Sequence, residues 1–254
     1  MPSLPRVRLD TLLAERGLVD SRTRGRALIM AGQVRVNGKP ATKAGALVRP
    51  DIELTLITPD HPYVGRGGLK LADALDRFHV DPAGTVALDV GASTGGFTDV
   101  LLRRGAITVV ALDVGHGQLD WRLRDDRRVV VLERTHIATV PPEDWPTEHR
   151  QFDIITVDVS FISVRYFVDR LPRLLRPDGD LVILVKPQFE VGRADVGRGG
   201  VVKDAQLHKR AVDDVAAAAA AVGLTRVATA PSPITGAEGN REFFLHLRHT
   251  AAAR

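Results

Sequence analysis

Six residues of this chain are lysine, against 35 basic residues in all. Lysine can give up its proton in an accessible pH range and arginine cannot, so each lysine in an arginine-rich chain is a candidate for chemistry. Lys186 directly follows the apolar run Leu181–Val185. A cation there is costly unless it reaches a polar site. Asp158 ends a second apolar run, 152–157, and Glu242 opens a third, Glu242–Leu247. Lys70 falls in the first turn of a helix predicted from Gly67, where the helix dipole disfavours a positive charge. Two lysines and two acids at element ends can place a proton acceptor and balance its charge.

The elements that must bring these four together are legible as alternating patterns. Apolar runs predict strands at Val86–Val90, Val109–Val114, Val129–Glu133, Phe152–Asp158, Leu181–Lys186, Arg226–Ala230 and Glu242–Leu247. Helical spacing predicts helices at Gly67–Phe78, Phe97–Arg104, Leu119–Arg124, Val164–Leu175 and Ala205–Val222. Alternating strands and helices imply an α/β fold with a doubly wound, mostly parallel sheet. Carboxyl ends of parallel strands share one edge, which gathers Asp158 and Lys186 there. Glu242 starts its strand, so it joins them only if that last strand runs antiparallel.

A glycine-rich turn is expected at the same edge. Residues 86–98 read as strand, turn and helix, with Gly91, Ser93, Thr94, Gly95, Gly96 and Phe97 in or beside the turn. Glycines admit a ligand close to the backbone, and the new helix offers free N–H groups. A dinucleotide fingerprint would be G-x-G-x-x-G. The spacing here, Gly91-x-x-x-Gly95-Gly96, departs from it. Asp89 precedes the glycines, as in the first motif of Rossmann-like methyltransferases that use S-adenosylmethionine (SAM), which this stretch resembles. Asp113 ends the next strand and is read either as a ribose ligand or as the cap of the following turn.

Residues 1–60 form a separate, basic module. They hold ten Lys/Arg against six Asp/Glu, and the remainder of the chain is balanced. Such asymmetry points to a polyanionic partner. Leu9, Leu12 and Leu13 mark one helix face, and Ser21 caps a predicted helix Arg22–Ala31. Asn37-Gly38 inside an alternating stretch predicts a hairpin with a type I′ turn, and 52–56 a further strand. Arg8-Leu9-Asp10, Ser21-Arg22, Ala27, Ile29, Gly32 and Val34–Gly38 together resemble the S4 RNA-binding domain. That resemblance implies binding of structured RNA through phosphate contacts, with Arg8, Arg22, Arg24, Arg26, Lys39 and Lys43 as candidates.

Residues 57–65 are rich in turn formers. The division is therefore 1–60 as the S4-like domain, 61–65 as linker and 66–254 as the Rossmann-like domain. The order Lys70, Asp158, Lys186, Glu242 resembles the catalytic tetrad of FtsJ-type RNA ribose 2′-O-methyltransferases. With the S4 module, Gly91–Thr98, Asp158–Ser163, Val185–Gly192 and Gly199–Val202 with Asp204, the whole chain is similar to the TlyA family. The resemblance implies SAM-dependent 2′-O-methylation of cytidine ribose in ribosomal RNA of one or both subunits. Lys186 would be the base, Lys70 would steady the developing alkoxide or a phosphate, and Asp158 would also lie near the SAM methyl group. Asp89, Gly91, Ser93, Thr94, Gly95, Gly96, Phe97, Asp113 and Asp158 would serve SAM.

Other classes find little support. The chain has no cysteine, which excludes disulfides and thiolate metal sites. Its eight histidines show no metal-ligand spacing, so no metal is expected. Neither a membrane-length apolar stretch nor a signal peptide is evident, so a cytoplasmic monomer is expected. The haemolysin label that the family has carried gains nothing from the sequence. An RNA-binding or ribosome-assembly protein with a non-catalytic SAM fold is the alternative from another class. Trp121 is read as core in preference to an adenine neighbour. Gln188–Glu190 and Gly192–Gly200 are read as a loop over the substrate or a structural turn.

Overall fold

The computed structural model describes residues 5–19, 21–30, 32–57, 61–140, 145, 150–236 and 239–250. The N-terminal module comprises β1 (Val7–Arg8), α1 (Leu9–Glu15), α2 (Arg22–Met30), β2 (Val34–Val36), β3 (Lys39–Pro40), β4 (Leu47–Val48) and β5 (Leu54–Leu56). Leu9, Leu13, Leu28, Ile29 and Val34 are its buried centre. The helices cross closely at Gly25, where a Cβ would lie 2.9 Å from the Asp10 carbonyl oxygen. The β2–β3 hairpin turns through Asn37 and Gly38 with φ of 48° and 74°, the left-handed pair that a type I′ turn requires. β5 pairs antiparallel with β2, and β1 with β4. The expected end of the second helix at Ala31 lies outside the described residues, as do 58–60 of the turn-rich join.

The second module contains α3 (Gly67–Phe78), β6 (Val86–Val90), α4 (Gly96–Arg103), β7 (Thr108–Leu112), α5 (Trp121–Arg124), β8 (Val129–Leu132) and β9 (Phe152–Val157). It continues with α6 (Leu171–Leu174), β10 (Leu175–Val185), α7 (Pro187–Glu190), α8 (Ala205–Ala221), β11 (Leu224–Pro231) and β12 (Phe243–His249). The sheet order is β11-β12-β10-β9-β6-β7-β8. Strands β10, β9, β6, β7 and β8 are mutually parallel, and β12 runs antiparallel to both neighbours. Apolar clusters cover both sheet faces, which explains the near-continuous apolar strands.

Two expectations are corrected, and one choice between alternatives is described. The helix predicted over 164–175 is broken into two 3₁₀ turns and the single turn α6. Pro172 supplies no N–H and its ring crowds the carbonyl four residues back, so a continuous helix cannot pass. Trp121 is 58% exposed and not core. It occupies the first position of α5, while Leu119 and Leu123 turn inward against Gly95. The segment 187–190 is a helical turn fixed by Glu190, which accepts from Ser163 Oγ at 2.5 Å and the Val164 amide at 2.9 Å.

Candidate active site

The glycine turn takes its shape from close approaches. Gly91 has φ of 87°, and a Cβ there would sit 2.3 Å from the Asp158 carbonyl oxygen. Gly95 has φ of 95° and would place a Cβ 2.2 Å from Leu123 Cδ1. Both positions therefore demand glycine. Helix α4 starts at Gly96 with no side-chain cap, so its first N–H groups face the turn unshielded by a side chain. Gly91, Ser93, Thr94, Gly96 and Phe97 line a cavity of about 820 Å³, together with Lys70 and Asp158. A concave backbone cradle that any Cβ at 91 or 95 would disturb, with helix N–H groups at its side, fits the carboxylate-bearing tail and nucleoside of SAM.

The two remaining cofactor candidates serve the turn from beneath. Asp89 is fully buried beside the turn. It stands opposite Thr156 in the β6–β9 register and accepts from Thr98 Oγ1 at 2.7 Å and Thr156 Oγ1 at 3.1 Å. Burial raises its pKa to about 7, the nearby Asp158 charge adds to the rise, and the two hydroxyl bonds oppose it. Asp113 accepts the Ser93 amide at 2.8 Å and the Gly115 amide at 2.6 Å. The turn-capping alternative describes that geometry.

The four ionisable residues form two ion pairs at one sheet edge. Val185 of β10 pairs with Phe243 of β12, so the antiparallel last strand sets Glu242 beside Lys186. Lys186 Nζ lies 2.6 Å from Asp158 Oδ1 and donates to Ser160 Oγ at 2.8 Å. Lys70 Nζ lies 2.6 Å from Glu242 Oε2. Glu242 is 3% exposed, and the backbone of Gly236 closes on it so tightly that a Cβ would meet Oε1 at 2.0 Å. Lys70 reaches the edge because α3 begins against α4, where Gly96 lies over Gly67 and Gly68. Ser160 and Gly236 have no sequence signal of their own. Both are small residues in loops, found only through their partners.

The basic module faces the same cavity. Arg35 and Lys43 from the hairpin region and Arg66 before α3 are among its lining residues. Lys39 and Arg26 are exposed. Arg8 is engaged instead by Asp10 through two bonds of 3.0 and 2.6 Å, and Arg22 reaches the same carboxylate at 3.3 Å. Arg24 has a partner as well. It bonds to Asp120 of the second module at 2.8 Å, so it holds the two modules together rather than standing free for phosphate. The expected linker 61–65 is anchored too. Val64 is buried and its amide donates to Asp99 Oδ2 at 2.9 Å, and Tyr63 packs on Gly68.

No helix among the described residues is long and apolar enough to cross a membrane. The S4 domain family matches residues 7–53, and the FtsJ-like methyltransferase family matches residues 63–249. The 16S/23S rRNA (cytidine-2′-O)-methyltransferase TlyA of Mycobacterium tuberculosis is 48% identical over 244 residues, covering 96% of this chain and 90% of that protein. Hemolysin A of Brachyspira hyodysenteriae is 37% identical across 94% of this chain and 99% of its own length. A solved structure from Streptococcus thermophilus, named as a hemolysin, superposes with a TM-score of 0.75 at 39% identity, covering 98% of this chain and 90% of that one. With both halves matched in order and the relatives covered nearly end to end, the chain belongs to the FtsJ-like methyltransferases, in the S4-bearing branch that includes TlyA.

Proposed function

We propose that this protein methylates the ribose 2′-oxygen of cytidine in ribosomal RNA, in both the 16S and 23S molecules, with SAM as methyl donor. The observation that carries the reading is the placement of Lys186. Its Nζ is held by Asp158 and Ser160 at the sheet edge, next to the glycine turn and paired across from Lys70–Glu242. Gly91, Ser93, Thr94, Gly95, Gly96 and Phe97 would hold SAM, with Asp113 and Asp89 keeping their backbone in shape. When bound, SAM supplies an electrophilic methyl group on a sulfonium.

A ribose hydroxyl is a weak acid and a poor nucleophile, so the chain must align it and take its proton. Lys186 Nζ accepts that proton. The oxygen so freed is aligned for in-line attack on the methyl group that SAM would supply when held by the glycine turn. Asp158 steadies the ammonium that results, and Lys70, fixed by Glu242, offsets negative charge on the oxygen or a neighbouring phosphate. Arg26, Lys39, Lys43 and Arg35 supply phosphate contacts that position the RNA over the cavity. A ribosomal substrate places the reaction in the cytoplasm.

Tritiated methyl transfer to ribosomal RNA from a strain lacking the activity, followed by mapping of 2′-O-methyl stops in both RNAs, tests the reading. Lys186→Ala should bind SAM and RNA yet lose at least about 100-fold in turnover. Near-normal turnover by that variant would remove Lys186 as the base. No incorporation by the parent enzyme would favour a non-catalytic assembly role. The hemolysin reading rests on the names of relatives alone.

A further inference from the structure

We propose that Ser160 is a positioning residue that holds the Lys186 amine in place to take the proton of the ribose hydroxyl. The proposal rests on the reading of Lys186 as the base. A neutral amine carries two hydrogens and one lone pair around a tetrahedral nitrogen. Nζ donates one hydrogen to Ser160 Oγ at 2.8 Å, while Asp158 Oδ1, 2.6 Å away, makes the charge contact without hydrogen-bond alignment. With Cε and that hydrogen fixed, the lone pair is confined to the two remaining tetrahedral directions. Asp158 alone, a contact without hydrogen-bond direction, would leave Nζ free to turn about the Cε–Nζ bond through all three staggered positions. The serine hydroxyl restricts that freedom.

The loop that carries Ser160 is built to stay in place. Asp158 begins it at the end of β9 and lines the cavity. Phe161, directly after Ser160, holds a left-handed φ of 68°, and its largely exposed ring lies 5.3 Å from that of Phe189 in the lysine's own segment. The far end is tied to the lysine's own segment. Glu190, four residues beyond Lys186 and 4% exposed, accepts from Ser163 Oγ and the Val164 amide. Residues 158–164 and 186–190 are thus joined at both ends, Lys186 to Asp158 and Ser160 at one, and Glu190 to Ser163 and Val164 at the other. In the proton transfer the hydrogen leaves the 2′-oxygen for the Nζ lone pair, the oxygen retains the bonding pair, and Nζ becomes an ammonium.

The test compares Ser160→Ala, Ser160→Thr and Lys186→Met with the parent enzyme, using ribosomal RNA and SAM. Ser160→Ala should lower kcat by about 10–100-fold, part of the effect of general-base catalysis, while both KM values stay within about twofold. Ser160→Thr restores the hydroxyl and should return kcat to within about threefold. A second readout needs neither RNA nor SAM. With six lysines in the chain, ¹³C-lysine NMR can follow the Lys186 Cε group, which should gain mobility in Ser160→Ala and regain order in Ser160→Thr. Ser160→Ala with parental kcat, or with unaltered Lys186 mobility, would overturn the proposal. Substantial turnover by Lys186→Met would instead overturn the base assignment beneath it, whatever the serine variants do.

Discussion

Asp89 gives the fold a pH dependence that can be worked out from its burial. The carboxyl is fully enclosed and its pKa rises from 3.8 to about 7, chiefly through desolvation. A carboxyl whose folded pKa is raised binds more protons in the folded state than in the unfolded one. Its contribution to stability is therefore complete below about pH 4 and is lost as pH rises through 7. At about 1.36 kcal/mol for each pKa unit, the full loss is about 4 kcal/mol, of which about 2–3 kcal/mol falls between pH 5 and pH 8. Asp89→Asn removes the titration but keeps the shape. Thr98 can still donate to the amide oxygen, and the Thr156 hydroxyl can turn to accept from the amide N–H. Urea unfolding of both proteins from pH 5 to pH 8 should show the difference, variant minus parent, growing by about 2–3 kcal/mol in the variant's favour. A difference that does not change with pH, or that shrinks as pH rises, refutes the account.

Other substitutions test separate parts of the structure. Gly91→Ala forces a Cβ against the Asp158 carbonyl in a left-handed backbone, so unfolding should cost about 2–5 kcal/mol less and calorimetry should show weakened SAM binding. Arg24→Ala cuts the bond between modules. Asp120 keeps Arg122, so stability should change by about 1 kcal/mol or less, while small-angle scattering should report a larger radius of gyration. Trp121→Ala should leave stability within about 0.5 kcal/mol, because the side chain is mostly in solvent; a loss of 3 kcal/mol or more would restore the core reading.

The parts of the site legible in sequence were those that use backbone rules. Gly91 and Gly95 announce a turn because left-handed φ leaves few alternatives, and Asn37-Gly38 announces the hairpin for the same reason. Lys186 stood out because a charge at the end of an apolar strand has few tolerable surroundings. Glu242 was conditional on strand direction, a property set by neighbours far along the chain, and β12 met the condition. What escaped was long-range pairing. Arg24 looked like any other helix arginine until Asp120, 96 residues on, was placed against it. The Thr98 and Thr156 hydroxyls that bond to Asp89 were likewise not announced by the sequence. The two-residue strands β1 and β4 are too short to carry any periodicity. Pro172 lies inside the stretch 164–175, and the helical spacing there belongs to shorter turns that the proline separates.

Among the described residues, strand β12 is the last element in chain order, yet it is not at the border of the sheet. It slots between β10 and β11, both earlier in the chain. Without it, β11 has no neighbour to join and Lys70 lacks the Glu242 carboxylate. A chain cut before Glu242 can therefore close the glycine turn between β6 and α4 but cannot assemble the second ion pair. Completion of that pair and closure of the sheet are a single event.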